Sequence, residues 1–84
     1  MPTIAIIDGV RIVIHLKDHL PPHLHAMFAG HEAQISIATG DTLNGSLPPA
    51  KAKAVKAWLT SHREQVAYIW VEIREGRYSG GQIT

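Results

Sequence analysis

The chain has 84 residues, 45% hydrophobic and 18% charged, which fits one small domain with a thin core and leaves no room for a second folding unit. It has no cysteine, which excludes a disulfide staple and a cysteine-based zinc knuckle and agrees with a cytoplasmic location. Eight basic against seven acidic side chains give a net charge of +1. That is no case for a dedicated nucleic-acid grip, yet it does not exclude a small RNA-cutting enzyme.

At the start, Met1-Pro2-Thr3 carries no basic region, and the apolar run Ile4 to Ile7 is short. Neither a signal peptide nor a membrane span of about 20 apolar residues is expected. Val10, Ile12, Ile14 and Leu16 alternate with Arg11, Val13, His15 and Lys17, the period-2 pattern of a strand. Asp8-Gly9 is a two-residue hairpin signal, so residues 3–7 and 10–17 read as an antiparallel hairpin. Asp18-His19-Leu20-Pro21-Pro22 follows, a stiff loop that two prolines bar from a central strand.

Residues 23–29 and 32–38 read as a second hairpin around Gly30-His31. In that register Phe28 faces Ala33, Ala26 faces Ile35, His25 faces Ser36 and Leu24 faces Ile37. Leu24, Ala26, Phe28, Ala33, Ile35 and Ile37 then share one face, and His23, His25, Met27, Gln34 and Ser36 share the other. A fifth short strand fits Thr42 to Leu47, with Asn44-Gly45 marking a bulge or turn.

The last third is helical. Pro48 and Pro49 suit a helix start, and Val55, Trp58, Leu59, Val66, Ile69, Trp70 and Ile73 keep helical spacing. Ser61-His62-Arg63-Glu64 reads as a capping box and argues for a break into two helices, although no Gly or Pro lies between Ala50 and Glu75. Gly76 is the expected stop, and residues 78–84 are expected to be loose. The fold class is therefore α+β: an antiparallel meander of four to five strands, then two helices packed on its apolar face. The face carrying His23 and His25 is left open to solvent or a partner.

Six histidines are many for this length, and five lie between positions 15 and 31. Protonation of these rings would change the local charge strongly. Asp18, His19, His23 and His25 stand within eight residues. His23 and His25 are two apart on a strand, so their rings share one face with Cβ atoms within about 7 Å.

Three uses fit this set. A divalent metal such as zinc can be held by His19, His23, His25 and Asp18. Alternatively, two of the rings can act as general base and general acid on a phosphodiester, with Arg11 or Lys17 as the cation if they share that face. The commoner use of such rings is structural, as partners of loop carbonyls.

The remaining features are more ordinary. Lys51, Lys53 and Lys56 spread around a helix rather than forming a stripe, and Trp58 and Trp70 fit a core. His31 and His62 fit structural roles. His15 joins the cluster only if its face matches.

The chain resembles a family of small bacterial proteins, domain-of-unknown-function family 4160. The resemblance rests on Met1-Pro2-Thr3-Ile4, Gly9 and above all Asp18-His19-x-Pro21-Pro22-His23-x-His25. It continues through Glu32-Ala33, Ile37-x-Thr39-Gly40, Gly45-x-Leu47-Pro48, Trp58, His62 and Trp70. It implies no established reaction. It does imply a cognate small protein encoded nearby, in pairs that look like toxin–antitoxin modules. On that basis the expected function is a cytoplasmic toxin-type component acting on RNA or translation. His23 and His25 would be its acid–base pair, His19 would assist, and Asp18 would orient a ring. The rival expectations are a metal-binding protein and a non-enzymatic antitoxin or adaptor. A homodimer is compatible with so small a domain.

Overall fold

The computed structural model describes residues 3–15, 20–78, 80 and 83. Five strands precede one helix: β1 (Thr3–Ile7), β2 (Val10–Val13), β3 (His23–Phe28), β4 (His31–Ser36), β5 (Thr42–Gly45) and α1 (Pro49–Arg74). The strands form one antiparallel sheet in the order β1-β2-β3-β4-β5, a meander. The α+β class and the sheet agree with the sequence reading. The expected pair of helices is instead one helix.

The first hairpin turns on Asp8 and Gly9, whose φ values of 51° and 79° suit the twist of paired strands. The second turns on Ala29-Gly30, at φ 48° and 83°, rather than on Gly30-His31. Moving the turn by one residue slides the register by two. Leu24 therefore pairs with Ile35, Ala26 with Ala33, and His25 with Gln34. A two-residue slip preserves the face of every side chain, so the expected sorting by polarity stands although the pairing differs.

Ile12, Leu24, Ala26, Ala33, Ile35 and Ile37 form the core with Val55, Leu59, Val66, Trp70 and Ile73 of α1. Trp70 is deeply buried in it, and Trp58 packs half-buried at its border. The helix start is pinned to the first turn by Lys51, whose Nζ donates to the Asp8 carbonyl at 2.8 Å and lies 4.7 Å above the Phe28 ring. Tyr78 and Ile83, within the tail expected to be loose, pack against the core, and the Ile83 amide donates to the Ile4 carbonyl.

Helix α1 bends where the sequence suggests a break. His62 has φ −123° and ψ 17° inside an otherwise continuous helix. Three consecutive side chains turn back onto carbonyls four residues earlier: Thr60 to Lys56, Ser61 to Ala57 and His62 to Trp58. Such bonds compete with the backbone ladder and bend a helix without ending it. Ser61 therefore serves the preceding turn rather than capping a new helix. Arg63, just past the bend, donates through Nε to the Ile37 carbonyl at 2.9 Å and ties the second half to the sheet. Among the described residues no helix is long and apolar enough to cross a membrane.

Candidate functional site

Residues paired across strands share a sheet face, and on the face away from the core they form two rows. One row runs Ile6, Arg11, Met27, Glu32. The next runs Thr3, Val13, His25, Gln34, Asn44. His23 follows two residues along β3, opposite Ser36.

The expectation of an open histidine face needs correction. His23 and His25 are only 7% and 6% exposed, and Ser36 and Val13 are buried beside them. The cause is packing of rings on rings. The His15 ring meets that of His25 edge-on at 4.2 Å, and His23 meets His25 at 5.2 Å. The Trp70 ring reaches His23 at 5.7 Å. The face opens toward the hairpin tips, where Ile6, Arg11 and Glu32 are exposed, and at the β5 edge, where Asn44 is exposed.

Each buried histidine has a partner that orients it. His23 Nδ1 lies 2.9 Å from the Pro21 carbonyl. A carbonyl only accepts, so this nitrogen carries a proton and donates it. His25 Nδ1 lies 3.1 Å from the Glu32 carboxylate, which likewise receives the ring's N–H. In the neutral ring Nε2 is then the basic nitrogen of both. Glu32 itself keeps 53% of its side chain exposed, so the pair spans the boundary between buried ring and solvent.

Of the four residues chosen from sequence, His23 and His25 are neighbours as expected. Asp18 and His19 lie outside the described residues, as does Lys17. The role of each in an acid–base or metal set lies outside them too. Among the described residues no group of three or more His, Asp or Glu is arranged to hold a metal ion.

His15 joins the cluster, the condition that the sequence left open. Glu32 was missed. In the slipped register it faced Ala29 at the turn, four residues from the partner of His25. In the observed register it stands diagonally across from His25, within reach of a long side chain. Arg11 shares the histidine face, which also answers the condition placed on it.

A cleft of about 560 Å³ lies at the helix bend between Thr60 and Gln65 and takes no residue from the histidine face. No curated protein and no solved structure matches the chain. Residues 9–74 match the sequence profile described as domain of unknown function (DUF4160), and the chain belongs to that family.

Proposed function

We propose that the protein is the toxin-type component of a bacterial two-protein module and that it cuts RNA by metal-free acid–base chemistry. One observation supports this reading. His25 lies between a carboxylate that orients it, Glu32 at 3.1 Å, and a second imidazole, His15, at 4.2 Å. An oriented base beside a second titratable ring is what phosphodiester transfer through a 2′-hydroxyl requires.

In this reading the neutral Nε2 of His25 accepts the proton of the 2′-hydroxyl as its oxygen bonds to phosphorus. Protonated His15 gives its proton to the 5′-oxygen as the P–O5′ bond breaks. The products are a 2′,3′-cyclic phosphate and a free 5′-hydroxyl. Glu32 stabilises the imidazolium that forms on His25, and it holds the ring in the productive tautomer. His23, clasped by Pro21 and Trp70, positions His25 rather than exchanging protons. The cognate small protein would act by covering this face.

The test is growth of bacteria on induction of the parent and of His25→Ala, both verified as soluble with similar melting temperatures. Arrest by the parent alone, with RNA decay on induction, supports the reading. Normal growth with the parent sinks the toxin assignment.

A further inference from the structure

RNA cleavage needs a cation for the phosphate as well as a proton pair, and the histidine face carries a basic residue in a suitable place. Arg11 stands in the row next to that of His25 and on the adjacent strand, so their Cα atoms are about 8 Å apart from strand spacing alone. Its side chain does not extend along its own row. Nε donates to Thr3 Oγ1 at 2.8 Å, and Thr3 is the partner of Val13 in the row of His25. The bond therefore draws the guanidinium along the strand to the level of the His25 row, on the β1 side of β2.

Thr3 is the one partner of this guanidinium among the described residues. Only Nε is engaged, which leaves the two terminal nitrogens with their four N–H groups for a ligand. Among the described residues no carboxylate pairs with Arg11, although Glu32 stands in the same row: its neighbour across β3 is Met27, and its carboxylate turns to His25. An arginine tethered through Nε alone suits a planar, bidentate hold on a phosphate.

Beyond it, toward the hairpin tips, a cleft of about 320 Å³ has Arg11, Met27 and Glu32 on its walls. It continues the face away from His25 and has room for a neighbouring nucleotide. The thioether of Met27 offers a soft apolar floor for a base.

We infer that Arg11, steadied by Thr3, is the phosphate-positioning residue of this face, and that its ligand is a single-stranded RNA phosphodiester. The assignment of RNA rests on the function proposed above, whereas the anion site rests on Arg11 and Thr3.

A fluorescein-labelled single-stranded hexanucleotide with 2′-O-methyl sugars separates the two, because it presents phosphodiesters but has no 2′-hydroxyl to react. Binding is read by fluorescence anisotropy at low salt for the parent, Arg11→Met, Arg11→Lys and Thr3→Val, each with its melting temperature measured. Arg11→Met is expected to weaken binding at least tenfold, with Arg11→Lys in between. Thr3→Val should weaken it less.

Binding by Arg11→Met within twofold of the parent overturns the inference, as does absence of parent binding at millimolar protein. If Arg11 governs binding but the parent cuts no unmodified RNA, the anion site stands and the catalytic reading fails.

Discussion

At the scale of single residues, Glu32 and His25 carry the account. A carboxylate that holds a catalytic ring contributes through orientation, so Glu32→Gln should lower RNA cleavage less than His25→Ala, which should lose about 10²- to 10⁴-fold. Single-turnover rates of the two variants check this. Equal losses would mean that Glu32 does more than orient.

The two histidines of β3 were legible because period-2 alternation sends them to one face. Glu32 was not legible, because its place beside His25 depends on a register that alternation alone leaves open by steps of two.

Gly45 is a second residue whose role appears only in three dimensions. It has φ 72°, and a Cβ there would run into the Glu32 carbonyl of the neighbouring strand. Gly45→Ala should therefore destabilise the fold by about 2 kcal/mol or more, measured by denaturant unfolding. A change below about 0.5 kcal/mol would show that β5 moves away without cost.

At the scale of elements, helix α1 separates its two tryptophans. Both fitted a core by spacing, yet Trp70 is 4% exposed whereas Trp58 is half-buried and stacks on His62 at 5.1 Å. Trp70→Ala is expected to cost about 3–5 kcal/mol, and Trp58→Ala clearly less. Thermal or denaturant melts of both variants decide it, and an equal or reversed order would contradict the packing described.

The bend at His62 was half legible. Ser61 and Glu64 pointed to a change in the helix there. However, the capping-box pattern cannot tell a hydroxyl that starts a helix from one that bonds back to the turn before it. The strand faces, by contrast, were readable from Leu24, Ala26, Ala33 and Ile35 alone, since a slip of two residues leaves each on the same side. The turn position was not, because Ala29 at positive φ is disfavoured locally and is set by the twist of the hairpin.

At the scale of the whole molecule, the meander sends β3 through the middle of the sheet, with β2 and β4 on either side. His15 approaches His25 from beyond the end of β2, and Glu32 from β4. Three segments thus build the cluster, and removing any one dissolves it. The burial of His23 was not legible, since Trp70 packs on it from the far half of the helix.

The tail also belongs to this scale. Burial raises the Tyr78 hydroxyl above its ordinary value of 10.0. A raised value means that the folded state keeps the proton after the unfolded chain has lost it. Tyr78 therefore lowers stability as pH rises from about 10 through its folded value, and has no such effect at neutral pH. Melting temperatures of the parent should fall more steeply above pH 10 than those of Tyr78→Phe. Parallel curves would show that the ring is not held against the core in solution.

The central claim is that the histidine face performs proton transfer on RNA without a metal. The most direct measurement is cleavage of single-stranded RNA by the purified, untagged protein in excess chelator, beside His25→Ala of matched melting temperature. The account predicts 2′,3′-cyclic phosphate ends with the parent, undiminished by the chelator and lost in His25→Ala. Intact RNA with the parent, or cleavage that the chelator abolishes, would contradict it.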